Sequence, residues 1–481
     1  MALQDNTLLL YGGVALVVYV LYRFTETSRL SHIPTLGWSL PILSYLDAFK
    51  LVKLGKYKLQ EGYEKYKGHV FKIATLDRWF VVISGPQLVE EVRKLPDETV
   101  SFMAAVHDLI QTKYTIGQKV DEDPWHVEII KAQLTRQIAG VFPDVRDEIV
   151  ASFADLIPPS NEWMPVPALD VMRMIVARVS SRAFVGLPLC RNMDYLNIAI
   201  YHTIAISEAR NQFTLLPEIF KPVAAPFINE RIDMLKEYGE NWADKPNDML
   251  MWILETGLSR GADLREIVEM LLATDFAAIH TSSNSFAHAL YHLAANPEYI
   301  QPLRDEVESV IGKQGWSKTA MTNLRKIDSF MKESMRMNGI NGTSIMRKAM
   351  RNFTLSDGTY IPKDTILVAP SNATHTDEEN YSNAHEFLPF RFSDIRDEDG
   401  EGTKHHFVST SADYISFGHG KHACPGRFFA ANELKAMLAH IVLNYDVKFE
   451  HEGVRPENVW FGTTLVPAPT AKVLFRKRQT S

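Results

Sequence analysis

A cysteine set among glycines is the part of this sequence best suited to chemistry. Cys424 lies in the segment FGHGKHACPGR, where Gly418, Gly420 and Gly426 let the backbone turn tightly and approach a flat ligand closely. The apolar run 428–431 follows at once and predicts a helix. A thiolate just ahead of a helix is favoured by the free N–H groups and the positive end of the helix dipole. The pattern therefore predicts a metal-ligating sulfur at Cys424.

The same loop also contains potential zinc ligands, namely His419, His422 and Cys424. Zinc takes four ligands, commonly including paired cysteines, and no second cysteine is near, which disfavours this alternative. The other of the two cysteines, Cys190, is far away in sequence, so a disulfide framework is disfavoured and a reducing compartment is indicated. We expect Cys190 to be a small buried apolar side chain.

The cysteine segment resembles the haem-binding loop of the cytochrome P450 family, FxxGxRxCxG. The residues in register with that pattern are Phe417, Gly420, Cys424 and Gly426. The resemblance implies a haem b cofactor (iron protoporphyrin IX) whose iron is bound by Cys424. The family's arginine, which contacts a haem propionate, is replaced by His422, a weaker but competent hydrogen-bond donor. The cofactor-binding residues implied in this loop are Phe417, Gly418, His422, Cys424 and Gly426.

An acidic and a basic residue stand three positions apart in the segment Glu333-Ser334-Met335-Arg336. On a helix they share one face, although such pairs are mostly solvated surface bridges. Together with the segment PFRF, which contains Arg391, they resemble the ExxR and PxRF elements of the family. The resemblance implies a structural triad of Glu333, Arg336 and Arg391 that holds the cysteine loop in place.

A long apolar segment carries a second group of candidate catalytic residues, in the sequence FAAIHTS from Phe276 to Ser282. It resembles the family's oxygen-activation motif (A/G)Gx(D/E)T(T/S). By that resemblance Thr281 is the hydroxyl that relays protons, and His280 replaces the usual acid, as in a subset of fungal members. A histidine can shuttle protons near neutral pH. The alternative is that both side chains merely satisfy local backbone groups.

The resemblance also implies haem contacts outside the motifs described so far. Arg347 matches a propionate-binding arginine of the family, and its cationic fork suits a carboxylate. The family's WxxxR pattern is not intact after Trp125, so His126 and Lys131 are the remaining candidates there.

Substrate and partner contacts are inferred from family position. The expected substrate-binding residues are Phe276, Ala277, Ile340, Ser344 and Phe461, in the segments 276–277, 340–344 and 461–464, together with the loop 102–114. Lys421 and Arg427 are candidates for a basic surface that binds a reductase, with ordinary solvated surface residues as the alternative.

The elements that position these residues are predicted to form a mainly α fold with minor β, and the resemblance implies the cytochrome P450 fold. Apolar periodicity and flanking Pro and Gly predict helices over about 263–296, 297–311 and 323–337. Short strands are predicted at 70–73, 80–83, 354–355, 359–361 and 366–369. A polar irregular stretch follows from 393 to 411.

The amino terminus predicts one transmembrane helix ahead of this domain. Residues 6–22 carry no charge and would span roughly 25 Å as a helix. Arg23 and Arg29 follow the run, which favours a signal-anchor with the remainder in the cytoplasm. We therefore predict an anchor at 6–22, a proline-containing linker at 23–40 and a haem-binding monooxygenase domain at 41–481, on the endoplasmic reticulum membrane.

The resemblance implies a haem-thiolate monooxygenase that inserts one oxygen atom from O2 into a lipophilic substrate. Electrons would come from NADPH through cytochrome P450 reductase, with cytochrome b5 as a second candidate donor. The His-Thr helix motif and the cysteine loop resemble fungal secondary-metabolism members similar to ent-kaurene oxidase, so a terpenoid or steroid-like substrate is expected. A reductase-independent haem-thiolate isomerase or lyase and a non-catalytic haem sensor remain alternatives. The net charge of −7 argues against a nucleic-acid partner.

Overall fold

The computed structural model of the chain describes residues 2–208 and 216–479, and most of them are helical. The helices are α1 (Ala2–Arg29), α2 (Ser44–Lys65), α3 (Pro86–Lys94), α4 (Phe102–Ile110), α5 (Thr112–Thr115), α6 (Gln118–Glu122), α7 (His126–Glu128), α8 (Thr135–Leu156), α9 (Ala168–Phe184), α10 (Met193–Glu208), α11 (Leu216–Tyr238), α12 (Met249–Ser259), α13 (Leu264–Ala295), α14 (Ile300–Gln314), α15 (Lys318–Asn323), α16 (Arg325–Met337), α17 (Ser371–His375), α18 (Arg391–Ile395) and α19 (Arg427–Asn444).

The strands are short and form small sheets. They are β1 (Val70–Ala74), β2 (Trp79–Ile83), β3 (Val100–Ser101), β4 (Met164–Pro167), β5 (Ser344–Ala349), β6 (Phe353–Thr354), β7 (Tyr360–Ile361), β8 (Ile366–Ala369), β9 (Tyr445–Lys448), β10 (Val459–Phe461), β11 (Thr464–Val466) and β12 (Lys472–Lys477). The largest sheet has the strand order β1-β2-β8-β5-β3, in which β2 and β8 run parallel and the other neighbours antiparallel. The mainly α fold with minor β that the sequence predicts is confirmed.

Helix α13 runs through the main apolar core and was predicted almost to the residue. Asp263 caps it, because its carboxylate accepts a hydrogen bond from the backbone N–H of Glu266 at 2.9 Å. The helix ends before Pro297, which cannot continue it. Every side chain from Ile267 to Asp275 is buried, as is every one from Ser282 to Ala295. Such complete burial explains why its apolar residues follow no single stripe.

Seven of the described strands were not predicted, among them β5, whose sequence gives a mixed signal. Strand β5 reads SIMRKA and alternates partly exposed with buried residues, but it contains two cations and pairs with β8 through a register shift. Tertiary pairing overrides such a weak local preference. The strand matters for the site, since it carries both Ser344 and Arg347.

The amino-terminal helix is continuous through the predicted start of the linker. Among the described residues no helix is long and apolar enough to cross a membrane, so the span predicted over 6–22 is not confirmed. The predicted linker 23–40 differs from the structure at its beginning, where α1 continues to Arg29. The reason is burial: Arg23 is only 1% exposed, and its guanidinium lies over the ring of Trp79.

Candidate active site

The cysteine loop has an irregular backbone that only glycine accommodates easily. Gly418 and Gly420 have φ of 70° and 75°, in the left-handed region. The backbone N–H of Cys424 donates to the carbonyl of Phe417 at 2.7 Å, which closes the loop on itself. Helix α19 begins at Arg427, after the cap residue Gly426. The predicted order of glycine turns, cysteine and helix is therefore observed.

The Cys424 thiol is partly exposed and lies beside two backbone N–H groups. Burial raises the pKa of the thiol above its ordinary value. The N–H groups of Gly426 and Arg427 and the charge of Arg427 lower the pKa, but by less. The N–H groups after Cys424 thus favour the thiolate, as the sequence predicts, but burial outweighs them. A metal ion bound by Cys424 would favour the thiolate, because the positive charge of the ion lowers the pKa of a coordinating thiol.

Arg427, a predicted member of a docking surface, is partly exposed, and its guanidinium binds two backbone carbonyls. Its Nη1 donates to the carbonyl of Cys424 at 2.8 Å and its Nε to the carbonyl of Val408 at 3.2 Å. The carbonyls of Cys424 and Val408 lie in irregular backbone, where they need hydrogen-bond donors from side chains. Lys421, by contrast, has a side chain that is 66% exposed.

The structure brings Glu333, Arg336 and Arg391 together in the interior. Arg336 binds the carboxylate in fork geometry, with Nε to Oε2 and Nη2 to Oε1 both at 2.8 Å. Arg391 approaches the same carboxylate through Nε at 3.1 and 3.2 Å. The remaining donors reach backbone carbonyls, for example those of Ala384 at 2.7 Å and Asn383 at 3.1 Å. The triad therefore ties the segment 383–391 to helix α16.

His375 connects this triad to the cysteine loop, and no sequence motif pointed to it. Its carbonyl accepts a hydrogen bond from Arg336 Nη1 at 2.5 Å, and its ring Nε2 accepts one from the backbone N–H of Ile415 at 3.0 Å. Burial lowers the pKa of His375 to about 3, so the ring stays neutral and Nε2 keeps its lone pair. From Ile415 the chain enters the loop directly, where Ser416 donates to the carbonyl of Met335 at 3.3 Å.

Helix α13 has one accessible face, and it carries the predicted oxygen-activation motif. Residues 276–278, 280 and 281 are partly or fully accessible within an otherwise buried stretch. The Thr281 hydroxyl donates to the carbonyl of Ala277 at 2.8 Å, as the local alternative expected, and keeps its acceptor lone pairs. His280 Nε2 lies 3.3 Å from Asn284 Nδ2, while the buried Nδ1 has no partner in the described chain.

His280, the predicted proton shuttle, lies in surroundings that favour its neutral form. Burial, and secondarily the charge of Arg173, lowers its pKa to about 4. The ring is therefore neutral at physiological pH and carries one N–H. It can pass a proton only if one nitrogen releases its proton while the other nitrogen accepts a new one.

Arg347 provides the test of whether the site fits haem. It is 2% exposed, and its Nη2 is buried without a partner among the described residues. Burial lowers its pKa to about 10, which still leaves it charged. An orphaned guanidinium donor near His422 and Phe102 fits a propionate carboxylate. His422, the second predicted propionate contact, instead has Nε2 bound to Asp97 at 2.7 Å, because a carboxylate lies within reach.

The two weaker haem candidates have other partners. His126 is 6% exposed, with Nδ1 3.2 Å from the sulfur of Met270. Lys131 has a 41% exposed side chain and pairs with Glu128 at 3.0 Å, so it lies at the surface rather than in the site. A π-helical turn, Ile129–Leu134, shifts the register here, which the sequence pattern does not reveal. Zinc is not supported either, since no group of three or more potential ligands forms among the described residues.

Two of the predicted substrate segments lie side by side. The backbone N–H of Leu465 donates to the carbonyl of Ile340 at 3.3 Å, and that of Gly342 donates to the carbonyl of Thr463 at 2.6 Å. Phe461, at the end of β10, is 65% exposed. The segments 340–342 and 463–465 thus form one unit, although they are distant in sequence.

Ser344 and the loop 102–114 differ from expectation. The Ser344 hydroxyl donates to the carbonyl of Ile415 at 2.7 Å, so it fastens β5 to the cysteine loop rather than pointing to a substrate. The loop 102–114 is largely helical and lines a cavity of about 340 Å³ with polar groups. The cavity is lined by Ala104, His107, Asp108, Gln111, Lys113, Tyr114 and Asp121. It includes no residue of the cysteine loop or of the accessible face of α13.

Known proteins resemble the chain over almost its full length. A model of the cytochrome P450 family matches residues 192–475. Cytochrome P450 monooxygenase 151 of Postia placenta is 52% identical, with 98% of each chain covered. Cytochrome P450 monooxygenase CYP512U6 of Ganoderma lucidum is 37% identical, covering 99% of this chain and 97% of that protein. Ent-kaurene oxidase P450-4 of Gibberella fujikuroi is 31% identical, with 99% of each covered.

A solved structure shares the fold at low sequence identity. Retinoic acid bound cyanobacterial CYP120A1 superposes with a TM-score of 0.70 and 17% identity, covering 93% of this chain and 99% of that chain. This similarity supports the arrangement of helices and strands described above.

The triad makes a prediction about Arg336. Arg336→Lys keeps the charge but loses the fork and most of the carbonyl contacts, so the free energy of unfolding should fall by about 3 kcal/mol. Urea unfolding measures the change. Arg351→Lys is the matched control, because Arg351 is exposed, and it should leave stability unaltered. Wild-type stability in Arg336→Lys would contradict the role given to the triad.

Proposed function

Because the chain belongs to the cytochrome P450 family, we propose that it is a haem-thiolate monooxygenase acting on a lipophilic substrate with electrons from NADPH. The observation that carries the proposal is that one fold contains both a cysteine loop fixed by hydrogen bonds and a buried helix with an accessible face. When bound, haem supplies the activation of O2 and the insertion of one oxygen atom into carbon.

The residues of this chain would bind the haem and transfer protons. Cys424 would hold the iron, and the orphaned Nη2 of Arg347 would bind a propionate. Thr281 would hold and move protons at its hydroxyl, since that oxygen lies at the accessible face of α13. His280 and Asn284 would complete the proton path, because each leaves a buried polar atom without a protein partner among the described residues.

The proposed substrate class and electron donors are supported by a similar protein and by the surface of this chain. A terpenoid or steroid-like substrate is supported by the relative named an ent-kaurene oxidase and by the small, apolar accessible face at Ala277. A flavoprotein reductase would deliver electrons, with cytochrome b5 as a second donor, and the exposed Lys421 would belong to the docking surface.

We also propose that residues 6–22 anchor the protein in the endoplasmic reticulum membrane, with the haem domain in the cytoplasm. The uncharged run followed by Arg23 and Arg29 supports this orientation. After alkaline carbonate extraction of membranes, the full chain should stay in the pellet, whereas a variant lacking residues 2–22 should be released. Release of the full chain would exclude the anchor.

Oxygen labelling tests the proposed reaction. With NADPH, reductase and a panel of terpenoids and steroids under ¹⁸O2, mass spectrometry should detect a product that carries one ¹⁸O atom per insertion. A rearranged product formed without reductase would favour the isomerase or lyase. Haem binding with no oxygenated product across the panel would favour the sensor.

The proton role of Thr281 has a matched control on the same helix. Thr281 and Ser283 both donate to the carbonyl four residues earlier, at 2.8 and 2.7 Å, but Ser283 is fully buried. Thr281→Ala should lower the share of NADPH electrons that appear in product about tenfold or more and increase hydrogen peroxide. Ser283→Ala should keep the wild-type share. Equal effects of the two substitutions would show that only the helix is disturbed.

A further inference from the structure

Two histidines of the cysteine loop bind carboxylates from one neighbouring segment. His419 Nε2 lies 2.8 Å from Glu90 Oε1, and His422 Nε2 lies 2.7 Å from Asp97 Oδ1. Glu90 is on α3 and Asp97 is in the turn that follows it. His419 comes directly before the helical turn Gly420–His422 and His422 is its last residue, so both contacts lie ahead of Cys424. Neither carboxylate belongs to a motif found in the sequence.

Both carboxylates are held in place by further donors. Arg93 Nε donates to Glu90 Oε1 at 2.9 Å, and its Nη2 lies 2.7 Å from Oε2. Lys421 Nζ donates to the other oxygen of Asp97 at 2.6 Å. The side chains of His419 and His422 are only 12% and 17% exposed. Such contacts are worth more than ion pairs in open solvent, because water screens them less.

The loop needs support of this kind because its backbone is irregular. Gly418 and Gly420 both have positive φ, and a Cβ added at Gly420 would come within 3.0 Å of Arg93 Cδ. Helix α3 therefore packs closely against the loop. The loop is not part of any described sheet, but side chains from α3 and the turn after it lie close enough to hold it in place.

We propose that Glu90 and Asp97 are positioning residues that hold the cysteine loop through His419 and His422, and thereby retain haem on Cys424. They act through the histidines and make no contact with haem themselves. Where the family's pattern has arginine, this chain has His422, and its Nε2 binds Asp97. The inference rests on haem binding by Cys424.

The test measures haem retention in the purified holoprotein. Glu90→Gln, Asp97→Asn and the double variant are compared for the rate of haem transfer to apomyoglobin and for the thiolate-type Soret band of the reduced carbon monoxide complex. Loss of an outer partner of a metal site weakens binding by about 10- to 100-fold, so the double variant should lose haem about tenfold faster or more. It should also convert more readily to the form without thiolate ligation.

Glu98→Gln is the matched control, because Glu98 is an exposed carboxylate next to Asp97. It should behave like the wild type, whereas Glu90→Asp and Asp97→Glu should restore retention in part. Thermal unfolding of each apoprotein separates haem retention from a general loss of stability.

Three results would overturn the proposal. They are unchanged haem loss in the double variant, slower haem loss in Asp97→Asn, and loss of apoprotein stability without faster haem loss. Slower loss would mean that Asp97 competes with a propionate for His422. A wild-type protein that binds no haem would instead refute the proposed function, so the two failures are distinguishable.

Discussion

A buried carboxylate shared by two arginines is the interaction on which the site depends. Glu333 is completely buried, and an isolated charge there would cost several kcal/mol in lost hydration. The cost is offset only if both oxygens and every guanidinium N–H find partners in good geometry. Arg336 and Arg391 therefore draw in carbonyls of the segment 375–386. Removing one partner leaves the others buried and unpaired, so the arrangement is held as a unit.

The cysteine loop depends on this unit through hydrogen bonds rather than through regular structure. His375, which binds the triad, accepts a hydrogen bond from the backbone N–H of Ile415. Ser344 of strand β5 donates one to the carbonyl of the same residue. Arg427 closes the loop from the other side by donating to the Cys424 carbonyl. The second cysteine, Cys190, lies fully buried in the main apolar core, and burial raises the pKa of its thiol to about 11, which suits packing.

Sequence reasoning found the parts of the site that depend on local pattern. The glycine loop, the Glu333–Arg336 spacing and the ends of α13 follow from short-range rules, and the structure has all three. Contacts between distant segments were missed. Asp97 meets His422 across more than 300 residues, and Ser344 reaches Ile415 only because β5 pairs as it does. The π turn Ile129–Leu134, which contains the exposed Lys131, was likewise not predicted, because the sequence pattern does not reveal it.

The central claim is that Cys424 supplies the thiolate that binds haem iron, and the spectrum of the reduced carbon monoxide complex tests it most directly. The wild type and Cys190→Ser should both show the thiolate-type Soret band. Cys424→Ser should lose that band while the fold, followed by circular dichroism, remains. Retention of the band in Cys424→Ser would contradict the account.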